Sequence, residues 1–166
     1  MAPRRRKTWK EKLHDDKDLP KVIEIDETLS KRWGEGTCVI PAPREVNGLM
    51  AKVGHGALTT INAMRERLAQ THGATIACPI TTGIFARIAA EAAAEDEAAG
   101  QSNVTPYWRA LKAGGEINPK YPGGIDGQRK RLEAEGHTVV QKGKRWLILD
   151  YETNLTSFSS DARTPQ

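Results

Sequence analysis

The spacing of apolar positions changes along the chain, and each change predicts a different element. Residues 1–20 are polar and close at Pro20, which predicts a basic, flexible arm. Residues 21–42 read as an extended lead-in. In it, Val22–Ile25 and Thr37–Ile40 are strand candidates either side of an irregular stretch holding Trp33, Gly34 and Gly36. From Pro43 the period becomes helical: Val46, Leu49, Met50 and Val53 share one helix face, and Gly54 and Gly56 end it. Thr59 or Thr60 then caps a second helix with Ile61, Met64 and Leu68 inward, closed by His72-Gly73. Thr81 or Thr82 starts a third, with Ile84, Phe85 and Ile88 inward and an acidic, alanine-rich end that stops at Gly100.

Two helices joined by a short turn suggest a helix-turn-helix. A further helix is predicted over Asp126–Glu135, with Gly136 just past its end. Thr138–Val140 and Trp146–Leu149 then flank a basic tip, Gln141–Arg145, as a hairpin. The expected fold is mainly α with a small β hairpin: a winged helix-turn-helix in a single domain over residues 43–152, followed by a flexible tail over 153–166.

The 166 residues carry a net charge of +4, and its placement matters more than its size. Residues 1–17 hold seven basic and three acidic side chains, which accounts for all of it. The remainder is neutral but divided: residues 107–145 hold nine basic and four acidic groups, whereas 88–104 hold four acidic groups and no basic one. A basic arm and a basic C-terminal third form an electrostatic footprint for a polyanion, here duplex DNA held mainly through phosphates. Cys38 and Cys78, forty positions apart, do not suit a disulfide framework or a CxxC zinc site. No apolar run approaches the roughly 20 residues of a membrane span. The expected setting is cytoplasmic and nucleoid-associated, with the chain a monomer beside a repair-protein partner, and no membrane contact.

Several segments resemble a known family. Gly56-Ala57-Leu58-Thr59-Thr60-Ile61 is similar to the Gly-x-Val-x-Thr-Tyr lead into the helix-turn-helix of methylated-DNA–protein-cysteine methyltransferases. Thr105-Pro106-Tyr107-Trp108-Arg109 resembles that family's Ile-Pro-Cys-His-Arg motif. Gly114-Gly115, Tyr121-Pro122-Gly123-Gly124 and Leu132–Gly136 follow in the family's order, so the resemblance covers about residues 43–136. It implies a winged-helix domain of the kind that flips 6-O-alkylguanine and moves its alkyl group to cysteine. Such transfer needs a thiolate and a histidine to activate it. Tyr107 stands at the cysteine position and Trp108 at the histidine position. Glu135 matches the supporting glutamate, and Ile61 the helix-turn-helix tyrosine. The Ala-Arg-Ala-Val-Gly recognition segment resembles Ala77–Gly83 only loosely, without its arginine. The chain is therefore most similar to the alkyltransferase-like branch, which lacks the cysteine and binds lesions without repairing them.

This reading expects no catalytic residue, metal or cofactor. His14, His55, His72 and His137 have no metal-ligand spacing. Candidate DNA contacts are Thr60, Thr81, Thr82, Arg87, Lys120, Arg129, Lys130, Lys142, Lys144 and Arg145, and the candidate pocket is Tyr107, Trp108, Arg109 and Tyr121. Two alternatives stand beside it. One is a divergent alkyltransferase using Cys78; the other is a protein-interaction module whose acidic 91–97 segment docks a basic partner.

Overall fold

The structure, a computed structural model, describes residues 5–158. Within the expected arm, residues 8–13 are ordered. Thr8 and Glu11 form a capping box that starts α1 (Trp9–Leu13). A five-residue helix is not stable alone, and this one is held from outside. The Trp9 and Lys10 backbone N–H groups donate to Glu95, each at 3.0 Å. Leu13 is buried in the core and Trp9 packs partly against it. The flexible-arm expectation is corrected over this stretch, because Trp9 and Leu13 share one side of a single capped turn.

The lead-in contains β1 (Lys21–Glu24), α2 (Glu27–Trp33) and β2 (Thr37–Ile40). The helix was not visible in the apolar spacing because none of its residues is buried. Its ends are nevertheless marked: the Asp26 side chain accepts from Leu29 N–H at 2.9 Å, and Gly34 leaves the helix at φ 83°. β1 pairs antiparallel with β2, and β2 pairs parallel with β4 (Ile76–Ala77).

Between β2 and β4 lie α3 (Pro43–Ala51), β3 (Thr59–Thr60) and α4 (Ile61–His72). Pro43 opens α3 as expected, while the Ala42 N–H donates to Glu45 Oε1 at 3.0 Å. Glu45 also meets His72 Nε2 at 2.6 Å, which ties the start of α3 to the end of α4. Thr60 caps α4 by accepting from Ala63 N–H, and Gly73 ends it in the left-handed conformation.

α5 (Pro79–Ala98) begins earlier than expected, opened by Pro79 rather than by Thr81 or Thr82. Its inward face also differs. Thr82, Ala86, Ala89, Ala90 and Ala93 are buried, whereas Ile84 is exposed and Phe85 and Ile88 are only partly covered. The small alanines let α3 and α1 pack closely against α5, and this close packing sets the inward face.

After α5 the chain makes a 3₁₀ turn at Tyr107–Arg109 and enters β5 (Ala110–Leu111), which pairs parallel with β3. α6 (Gly124–Ala134) precedes the hairpin of β6 (Val139–Lys142) and β7 (Arg145–Ile148). The hairpin turns on Gly143-Lys144, with Gly143 at φ 62°. It is docked by the Ile117 N–H donating to Trp146 O at 2.8 Å. The described start of the expected tail is also held: Leu58 N–H donates to Asn154 O and Thr156 N–H to Leu58 O. Residues 1–4 of the arm and 159–166 of the tail lie outside the described residues. No helix among the described residues is long and apolar enough to cross a membrane.

Candidate nucleic-acid interface

The β3–β5 pairing brings together two motifs about fifty positions apart in sequence. Thr59 lies opposite Ala110 and Thr60 opposite Leu111, so the Tyr107–Arg109 turn sits beside the start of α4. Glu135, the C-cap of α6, closes this junction. Its carboxylate accepts from Trp108 Nε1–H at 2.9 Å, from Arg109 Nε and Nη2 at 2.9 and 2.7 Å, and from Gly56 N–H at 3.1 Å. Arg109 Nη1 also donates to the Val53 carbonyl at 2.7 Å. One carboxylate therefore ties the lead into α4, the 3₁₀ turn and the end of α6, and Arg109 adds the segment just past α3. Burial pushes the Glu135 carboxyl up, but the hydrogen bonds from Arg109, Trp108 and Gly56 outweigh it and hold the group below the usual range. Arg109 is wholly engaged inside the protein.

The aromatic residues of the candidate pocket do come together, but they fill the space. Tyr107 and Tyr121 are each 3% exposed and Trp108 is 8% exposed. Tyr107 meets Trp108 and Tyr121 edge-on, at centroid separations of 5.2 and 6.3 Å. Arg131 closes the cluster, its guanidinium 4.3 Å from the Trp108 ring centre and 2.8 Å from Glu97. Burial raises the Tyr107 hydroxyl above its ordinary value and pushes Tyr121 up to about 12, so both stay protonated near neutral pH. An indole N–H donates but cannot accept a proton, so Trp108 cannot act as the base that a nucleophile at position 107 would need. The run Arg129-Lys130-Arg131 cannot all face one way on a helix, and Arg131 is the member that turns to Glu97.

Several candidate DNA contacts are internal. Thr60 is buried and spent as a cap, while Thr82 is fully buried and donates to the Cys78 carbonyl at 2.6 Å. These two contacts are withdrawn, because helix capping and back-bonding use their hydroxyls. Thr81 Oγ is buried with no hydrogen-bond partner among the described residues. Arg87 is exposed beside Glu91 at 3.6 Å and stands 5.9 Å from the Trp9 ring centre. Arg129 pairs with Glu133 at 3.1 Å and lies 5.1 Å from the Trp146 ring centre, so α6 and the hairpin share a cationic edge. Arg145 pairs with Glu116 at 3.3 Å. Lys120, Lys130, Lys142 and Lys144 are exposed and enter no salt bridge among the described residues.

The alternatives lose their footing in the same geometry. Cys78 is 6% exposed, and burial pushes the neighbouring Cys38 thiol up to about 11. The acidic segment is used internally: Glu91 meets Arg87, Glu95 receives α1, Asp96 meets Lys10 at 3.0 Å and Glu97 holds Arg131.

No protein-family model matches the chain, and no curated protein matches it significantly. Among solved structures, the chain is similar to S. pombe Atl1 in complex with damaged DNA containing O6-carboxymethylguanine, with a TM-score of 0.47, 17% identity, and coverage of 69% of this chain and 94% of that one. A second similar structure is S. pombe ATL in complex with DNA, with a TM-score of 0.44 and the same identity and coverage.

Proposed function

We propose that the chain is a non-catalytic, alkyltransferase-like reader of duplex DNA in DNA repair, directed at alkylated or distorted sites. The observation that carries this reading is the Glu135 junction. It keeps the Tyr-Trp-Arg turn locked to the start of α4, as a helix-turn-helix built on this frame requires, while Trp108 and the buried Tyr107 leave no base and no reactive nucleophile. The frame is retained and the alkyl-transfer chemistry is gone. In this reading α4 and α5 form the helix-turn-helix, the β6–β7 hairpin is the wing, and Lys142 and Lys144 at its tip meet phosphates. Lys120 and Lys130 add to the same field. The chain would act as a monomer in the cytoplasm, on the nucleoid, with a repair protein taking over the bound site.

Binding to plain, mismatched and 6-O-alkylguanine duplexes at one salt concentration tests the target. The altered duplexes are expected to bind more tightly than the plain one. A salt series on the full chain should show affinity falling steeply, with a log–log slope of about −0.9 per phosphate contact. Binding without salt dependence overturns the reading. Mass spectrometry after incubation with 6-O-methylguanine DNA is expected to show an unmodified chain, and a methyl adduct on Cys78 overturns the non-catalytic assignment.

A further inference from the structure

We infer that the cleft between α3 and α4 is a docking site for an acidic peptide segment of a partner protein, with Lys52 and Arg67 as its carboxylate clamp. The inference rests on the function proposed above, in which a repair protein takes over the bound site, and it names the surface that such a partner uses.

The cleft has a volume of about 310 Å³ and is lined by residues of both helices. Its floor is apolar, formed by Leu49 and Leu68 at 7% and 3% exposure. The one acid in the lining, Glu45, is already engaged by His72 Nε2 and by the Ala42 N–H. The two cations are not. Lys52 stands just past the end of α3 and Arg67 in the middle of α4, and neither side chain has a partner among the described residues. Arg67 is half-buried, where a guanidinium ordinarily finds an acceptor. Gly48, in the middle of α3, lines the same cleft. Glycine weakens a helix interior, and a side chain at this position would meet nothing within 4 Å. No internal packing asks for its smallness, whereas close approach of another chain does.

Charge and shape together select the occupant. Two unpaired cations with no free acid beside them attract an anionic partner. The leucine floor and the open glycine suit an aliphatic side chain on a narrow backbone, which a sugar–phosphate chain does not carry. An acidic peptide carries both. Its carboxylates lie against Lys52 and Arg67, and the Arg67 fork can hold one of them through two parallel hydrogen bonds. An apolar side chain beside them covers Leu49 and Leu68. Capture of acidic motifs by unpaired arginines is a recurrent mode of peptide recognition. None of the residues lining the cleft belongs to α5 or to the β6–β7 hairpin, so DNA and the peptide can be held at once.

The test uses the full chain and a fluorescein-labelled peptide, Glu-Glu-Leu-Glu-Glu, followed by anisotropy with and without a plain duplex. The peptide is expected to bind in both cases, and a Gln-Gln-Leu-Gln-Gln control to bind at least about tenfold more weakly. Lys52→Gln with Arg67→Gln is expected to weaken the acidic peptide by about tenfold or more and to leave duplex affinity unchanged. Gly48→Leu, which fills the cleft and keeps both cations, is expected to weaken the peptide as much without lowering the melting temperature. Lys142→Gln with Lys144→Gln is expected to leave the peptide unaffected. Duplex binding without peptide binding, or a peptide weakened equally by the hairpin variant, overturns the docking site and leaves DNA reading standing. Loss of duplex affinity in the Lys52 and Arg67 variant makes DNA the occupant and overturns the inference. Self-association in sedimentation that is lost in that variant makes a second copy the occupant and overturns it too. Peptide binding by a chain that binds no duplex keeps the docking site and overturns the DNA-reading function.

Discussion

The Glu135 junction and the outer face of α5 break opposite rules of protein surfaces. The junction takes two charged side chains out of water, Arg109 at 13% and Glu135 at 7% side-chain exposure, and satisfies them with directed hydrogen bonds. The α5 face leaves two isoleucines in water with nothing covering them. Removing one partner from a buried ion pair strands the other, so the junction is costly to disturb and holds the fold. Trimming an exposed isoleucine strands nothing, so the α5 face is cheap to change in stability and is free to serve binding. The contrast separates what this chain needs in order to fold from what it offers to a partner.

Breaking the junction should have the largest effect. Glu135→Ala leaves the Arg109 guanidinium and the Trp108 and Gly56 N–H groups without their acceptor, and is expected to cost about 3–5 kcal/mol in urea unfolding. A loss below about 1 kcal/mol would mean the junction is not structural. Trp108→Phe keeps an aromatic ring but removes one donor to the carboxylate, with an expected loss of about 1.5–3 kcal/mol.

Acid should weaken the junction in two stages. Burial holds the His137 imidazole below its ordinary 6.5, so the folded state favours the neutral ring, and stability falls once the pH drops below that value. Glu135 is held below its ordinary 4.5, so its contribution is present above 4.5 and is lost as the pH falls through its lower folded value. Unfolding measured from pH 8 to pH 3 is expected to show both declines, with the lower one smaller in Glu135→Gln. The smallest effect is expected on the other side of the comparison. Ile80→Ala with Ile84→Ala should shift stability by no more than about 0.5 kcal/mol, and a large loss would show that the α5 face is covered in the free protein.

Local signals in the sequence were enough for most helices. Pro43, the Thr60 cap and Gly73 mark boundaries that the structure keeps, because capping and left-handed termini depend on neighbouring residues alone. α2 escaped notice because periodicity reports burial and α2 buries nothing. The inward face of α5 was misread for a related reason: Ile84 and Phe85 look more core-like than alanine, yet close approach of α1 and α3 selects the small side chains. The candidate pocket was found as a set of residues, but its filled state, and the use of Arg131 and Glu97 to close it, depend on contacts between α5, the 3₁₀ turn and α6. Thr60 and Thr82 have hydroxyls suited to phosphate, but only the folded backbone shows those hydroxyls already bonded.

What the sequence determined by itself is a mainly α chain with a terminal hairpin and a Tyr-Trp pair where a family resemblance would place cysteine and histidine. Helix periods, caps and the chemistry of a phenol and an indole are properties of short segments, so they are readable without the fold. Tertiary structure decided where the charge goes. The basic arm and the acidic end of α5 meet, with Glu95 accepting from the α1 backbone and Asp96 pairing with Lys10. It also decided that the two isoleucines at the start of α5 stay in water, because exposure depends on which neighbours pack around a helix and not on the residue's own hydrophobicity.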